Sequence, residues 1–206
     1  MNLTVENKSI NVRVNEAKAD LFATAMLQRL GGEANYMKVM KLIYFAERYH
    51  IRKYMRPIAN DDLLAMKKGM VGSFWLNILR GICQSLFFES DNISRAKIKN
   101  GFTLEETSVF SQSEIEALDF AINKFGKYDE NQLVDIVHEY PEWVKYKGII
   151  EKYGGAQRIE VDDILESPTN NPVFKANDFT DPFPSISTEE KEMIKEALAD
   201  YAIESM

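Results

Sequence analysis

The 206-residue chain contains one cysteine, two histidines and no long apolar run. The single thiol, Cys83, excludes an internal disulfide framework and any cysteine-rich metal site. It lies in an apolar stretch and reads as a buried, inert side chain. The longest apolar runs are LIYFA at Leu42–Ala46 and SLFF near Phe87, far short of the roughly 20 residues that span a bilayer. The N-terminal segment MNLTVENKSINVRVNEAK is polar and lacks the apolar stretch of a signal peptide. These absences predict a cytoplasmic protein with no membrane partner. Catalytic signatures are missing as well. There is no G-x-S-x-G elbow, no P-loop and no dinucleotide fingerprint. Gly69 is followed by Met70-Val71-Gly72, not by a phosphate-cradling loop. The expectation is a protein that is not an enzyme, with no catalytic residue, no metal ligand and no cofactor.

What the chain does have is apolar bulk and an uneven charge. Hydrophobic residues make up 45%, enough for one sizeable core. Net charge is −7, but from Gly155 to Met206 twelve acids face four bases, a net of −8. The first 154 residues hold twenty acids and twenty-one bases, so the acidity belongs to the C-terminal quarter. Direct nucleic-acid binding is not expected, because it needs a basic footprint. An acidic arm is compatible with contact with a basic protein, and plain solubility is the simpler reading.

Periodicity predicts a mainly α fold (α+β) with a small antiparallel β-hairpin or sheet. A first helix runs from an Asn15 cap to Gly31-Gly32, with Leu21, Phe22, Ala25 and Met26 inward. A second runs from about Tyr36 to Tyr54 and stops before Arg56-Pro57. On its wheel Lys38, Lys41, Arg48 and Arg52 form a narrow basic stripe, and the rest is largely apolar. That stripe is expected to be the only part that sees water, as a solvated face or as a seat for phosphate or an acidic partner. Leu63–Met66 reads as a strand with a turn at Gly69, and Ser73 as the cap of a helix through about Ile82. Asn100-Gly101 reads as a turn between Ile98 and the strand residues Phe102, Thr103 and Leu104. A capping box at Ser111 or Ser113 opens a helix to Gly126 that buries Ile115, Leu118, Ile122 and Phe125. Asp129 with Gln132 opens a short helix ending near His138. Pro141 begins another that carries Trp143, Tyr146, Ile149 and Ile150. Four of the six prolines then lie between Pro168 and Pro184. This stretch reads as a surface strap, or as a segment that orders on a partner through Phe174, Phe179 and Phe183. A last helix from Ser187 or Thr188 is expected to bury Met193, Ile194, Ala197, Leu198 and Tyr201.

Two acid-x-x-His spacings use both histidines: Glu47 with His50, and Asp135 with His138. Residues three apart share a helix face, and paired Glu-x-x-His motifs hold di-iron centres in helix bundles. A metal-dependent enzyme is therefore one alternative. The spacing is common in a chain with 32 acids, and a core histidine satisfied by a neighbour accounts for it without metal.

Four ordered blocks carry a family resemblance. They are Lys41-Leu42-Ile43-Tyr44-Phe45-Ala46-Glu47-Arg48-Tyr49-His50; Tyr54-Met55-Arg56-Pro57-Ile58; Ala65-Met66-Lys67-Lys68-Gly69-Met70-Val71-Gly72-Ser73; and Val137-His138-Glu139-Tyr140-Pro141-Glu142-Trp143. Over most of residues 15–165 the chain resembles the Panacea (SocA-like) domain, a family of mainly bacterial and phage antitoxins. It departs from the pattern where Met55 replaces a glycine, Met70 a proline and Val137 a threonine. A left-handed backbone at Met55 is expected to be strained or absent. The resemblance implies a Panacea-like domain over residues 1–165, with 166–206 as a Pro-rich acidic arm and terminal helix packed on it. It implies a type II-like antitoxin that neutralises a cognate toxin by direct binding. The alternatives are a protease adaptor that delivers a toxin to a host protease, and a phage or mobile-element regulatory protein that binds a host factor. The expected motif core is Tyr44, Glu47, His50, His138 and Trp143. The expected partner surface joins Tyr54, Arg56 and Pro57 to Met66, Lys67, Lys68, Gly69 and Met70.

Overall fold

Helix α2 (Tyr36–Tyr54) organises the molecule because its sequence is apolar around most of its circumference. Only Lys53 on it is exposed. A helix of that kind has to be surrounded, and here it is. The computed structural model describes residues 13–91, 93–168 and 179–204, so Phe174 lies outside the described residues. Around α2 pack α1 (Glu16–Arg29), α4 (Gln112–Phe125) and α5 (Glu130–Val137), with α3 (Ser73–Leu79) against α1. Two small antiparallel sheets cap this bundle. One joins β1 (Glu33–Asn35), β5 (Arg95–Ile98) and β4 (Phe88–Ser90) in that order. The other joins β3 (Gly69–Gly72), β2 (Leu63–Met66) and β6 (Ala156–Arg158), with Leu64 opposite both Val71 and Arg158. The short helices α6 (Pro141–Val144), α7 (Lys147–Tyr153) and α8 (Val161–Leu165) follow, and α9 (Thr188–Glu204) ends the chain. The fold is mainly α with small antiparallel sheets. Among the described residues no helix is long and apolar enough to cross a membrane.

The helix starts follow local chemistry. Asn15 and Asn35 accept from the amides of Lys18 and Met37, and Ser111 with Glu114 forms the capping box of α4. Ser187 and Glu190 bond reciprocally before α9. Other expectations are corrected. Ser73 does not cap α3: Gly72 is the cap residue, and the distant Asp61 carboxylate accepts from the amides of Phe74 and Trp75 at 2.9 and 3.0 Å. No strand forms at Phe102–Leu104. The hairpin closes earlier, at Asp91, whose Oδ1 accepts from the amides of Ile93, Ser94 and Arg95. The helix expected from Pro141 breaks into α6 and α7, leaving Ile149 46% exposed. Met193 points outward, and Ile194 is the buried anchor of α9. Cys83 is exposed, because α3 ends at Leu79 and the loop beyond it leaves the core.

Candidate functional site

The conspicuous chemistry lies on α2 itself. Its basic stripe does not see water. Lys41 and Arg48 are fully buried, Arg52 is nearly so, and Lys38 is half-buried with Nζ donating to Gly126 O. The stripe is covered by residues far along the chain, from Met70 over Lys41 to Pro184 over Arg52, which no helical wheel reveals. Arg48 Nη1 lies 3.3 Å from Glu142 Oε1, and both side chains are wholly inaccessible. Tyr44 donates its hydroxyl to the same oxygen at 2.5 Å. Burial pushes the Glu142 carboxyl up, against the pull of Arg48 and Tyr44. The guanidinium also donates to the carbonyls of Ile164 and Glu166, the latter at 2.6 Å. Arg52 donates to Ile164 O at 2.9 Å and to Pro184 O at 2.6 Å. Two arginines thus hold three carbonyls of the C-terminal region, and the buried charges are tolerable because they are paired.

Glu47 and His50 hold a nearer stretch of chain. Glu47 Oε2 accepts from Ile58 N at 3.0 Å, and burial raises its carboxyl to about 8. His50 Nδ1 lies 2.7 Å from Arg56 O, and Nε2 lies 3.1 Å from Ser113 Oγ. A carbonyl only accepts, so Nδ1 carries the proton and Nε2 accepts from the serine. Burial lowers the His50 pKa, which favours that neutral ring. Between these anchors the chain turns through Met55, and the left-handed backbone is present there after all, at φ 57° and ψ 29°. Its amide still bonds Ile51 O at 3.1 Å, so the bonds on either side hold the turn. Pro57 is half-buried, and Arg56 donates to Ser113 Oγ at 3.0 Å. Tyr54 donates to Glu116, which also receives Tyr49 and Lys53. Those three donors hold that carboxyl at about 2, Lys53 having the largest effect.

The second motif forms a different corner. His138 stacks on Trp143 with centroids 3.8 Å apart, and Trp143 Nε1 donates to Met66 O at 2.9 Å. His138 Nε2 is buried and has no partner among the described residues. Burial, and then Lys41, lower its pKa to about 4. Lys67, Asp135, His138, Trp143 and Lys147 line an open cavity of about 520 Å³ there. Lys41 Nζ donates to Met70 O at 2.8 Å, and burial, then Lys68, bring it down to about 7. Gly69 has φ 91°, and a Cβ there would clash with Val137 Cγ2, so glycine is required.

The expected partner surface is not one surface. Met70 is fully buried and Gly69 is buried, which leaves Lys67 and Lys68 exposed and Met66 half-buried. Met70 meets Lys41, whereas Tyr54 lies about thirteen residues farther along α2, or on the order of 20 Å. Of the two acid-x-x-His pairs, Glu47 and His50 hold backbone groups, whereas His138 stacks on Trp143 and Asp135 is exposed, and among the described residues no group of three or more potential ligands stands ready for a metal ion. Sequence reasoning missed Glu142 and Tyr140. Their neighbours Pro141 and Trp143 drew attention, and only the pairing with Arg48 and Asp181 gives these two meaning.

No curated protein and no solved structure matches this chain. A family model described as "Antitoxin SocA-like, Panacea domain" does match, over residues 39–144. That span runs from the second turn of α2 to the end of α6 and includes Tyr44, Glu47, His50, His138 and Trp143. It covers just over half of the 206 residues, and the chain belongs to the SocA-like Panacea antitoxin family.

Proposed function

We propose that this chain is the antitoxin of a type II-like pair, neutralising a cognate toxin in the cytoplasm by direct protein–protein binding and without catalysis. The observation that carries the reading is the family match over residues 39–144. The geometry supports it indirectly. The groups that resemble catalytic sets, Glu47 with His50 and Tyr44 with Arg48 and Glu142, are engaged in holding the protein's own backbone and one another. Buried groups engaged in that way are unavailable to a substrate. The surface left for a partner includes the exposed Lys67-Lys68 hairpin tip and the exposed acids Glu189, Glu190, Glu192 and Glu196 of α9.

The test is co-expression with the neighbouring open reading frame. Growth should be arrested by the neighbour alone and restored by the pair, and the two proteins should co-purify. A harmless neighbour that does not co-purify would remove the reading.

A further inference from the structure

Residues 179–184, Phe-Thr-Asp-Pro-Phe-Pro, form neither helix nor strand. Two prolines in six residues remove backbone donors but leave every carbonyl free to accept. The segment is nonetheless held tightly. Phe183 is 5% exposed, with its ring 5.1 Å from Phe120 and 5.9 Å from Tyr140, edge-on to the latter. Phe179 lies 5.7 Å from Phe125. Between the two anchors Asp181 Oδ1 accepts from Tyr140 Oη at 2.8 Å. Arg52 takes the Pro184 carbonyl, and the Arg48 guanidinium lies 4.9 Å from the Phe183 ring. The receiving residues, Arg48, Arg52, Phe120, Phe125 and Tyr140, all fall within the family match, and the received segment falls wholly outside it. Two aromatic anchors in pockets, an acid on a hydroxyl and a carbonyl on a guanidinium are the means by which a groove grips an extended peptide.

The grip is incomplete. Arg52 Nε is buried without a partner among the described residues. Beside the strap lies a cavity of about 480 Å³, with Phe183, Pro184 and Ile186 on one side and Tyr49, Met55 and Phe120 on the other. An unpaired buried donor and an unfilled apolar wall each leave binding energy unused.

We infer that this groove docks an extended segment of a partner protein, one carrying two aromatic side chains with an acidic residue between them. The chain's own residues 179–186 occupy it until such a segment displaces them. A second copy's strap would make the same contacts as the tethered one while lacking its millimolar effective concentration, so it gains nothing. A foreign segment wins by packing also on Tyr49, Met55 and Phe120, the wall that the strap leaves uncovered, and by giving Arg52 Nε an acceptor.

The probe is a fluorescent synthetic peptide of residues 179–187, titrated against the full-length chain and followed by anisotropy. The Phe179→Ala/Phe183→Ala double variant, its own strap disarmed, should bind the peptide at least tenfold more tightly than wild type. Adding Arg52→Gln should weaken that binding about tenfold. No binding by a double variant that still melts cooperatively overturns the proposal, as does equal binding to wild type. If the double variant does not fold, the full-length Asp181→Ala chain replaces it, with the same expected order and the same overturning results. A wild-type dimer that dissociates in the variant would assign the groove to a second copy, and that also overturns it. The peptide alone is used, so failure here leaves the toxin reading to its own test.

Discussion

On one side of α2, Glu47 and His50 hold the backbone of Ile58 and Arg56, eleven and six residues on. On the other, Arg48 and Arg52 hold Ile164, Glu166 and Pro184, between 112 and 132 residues on. The device is the same: a buried polar side chain satisfying a backbone group that has left regular structure. The range differs, and with it the consequence. The short-range anchors fix a turn that almost any folded form of the helix would hold. The long-range anchors close a loop of over a hundred residues and depend on the whole domain being in place.

Breaking the long-range side should have the largest effect. Arg48→Met strands the Glu142 charge in the core and leaves the Ile164 and Glu166 carbonyls to Arg52 alone, a loss of about 3–5 kcal/mol in urea denaturation. Replacing Glu142 by leucine in the same chain should recover most of it, and a double variant no better than the single would refute the pairing. Next comes the short-range side. His50→Ala leaves the Arg56 carbonyl without its donor and the Ser113 hydroxyl without its imidazole acceptor, and should cost about 1–3 kcal/mol. Protease cleavage within residues 179–187 should accelerate in Arg48→Met and stay unchanged in His50→Ala. Equal acceleration in both would erase the distinction.

The two sides should also respond oppositely to pH. Glu47 sits at about 8 in the fold against an ordinary 4.5, so folding takes up a proton and stability falls as pH rises between those values. Lys41 sits at about 7 against 10.5, so unfolding takes up a proton and stability climbs across that window. Each slope should reach about 1 kcal/mol per pH unit. Glu47→Gln should flatten the first and Lys41→Met the second in melting curves recorded from pH 4.5 to 10. The smallest effect belongs to the corner by the open cavity. His138, depressed to about 4, should make stability rise gently from there to about 6.5, and His138→Gln should remove the rise.

The helices were legible where their signals were local. The Ser111–Glu114 box, the Asn15 cap and the apolar burial of α2 all follow from neighbours within four residues. The motif residues Tyr44, Glu47 and His50 were legible as core because an inward acid and imidazole need partners. The role of Arg48 and Arg52 was not. A basic stripe on an otherwise apolar helix looks solvated until the covering chain is known, and over Arg48 and Arg52 that chain comes from α6, the end of α8 and the proline-rich segment at Pro184. Asp61 capping α3 from eleven residues before the cap residue, and Asp91 closing the β4–β5 hairpin, were hidden for a similar reason. A lone aspartate carries no mark of which amides it will receive.

The exposed Cys83 turns a composition detail into a practical property. With one thiol in the chain, and that thiol at the surface beside Gln84 and Lys99, a maleimide dye should attach at one address and at one per molecule. The same chemistry makes the protein vulnerable on storage. Without reductant, two molecules can join through Cys83 into a covalent pair that has nothing to do with biological assembly.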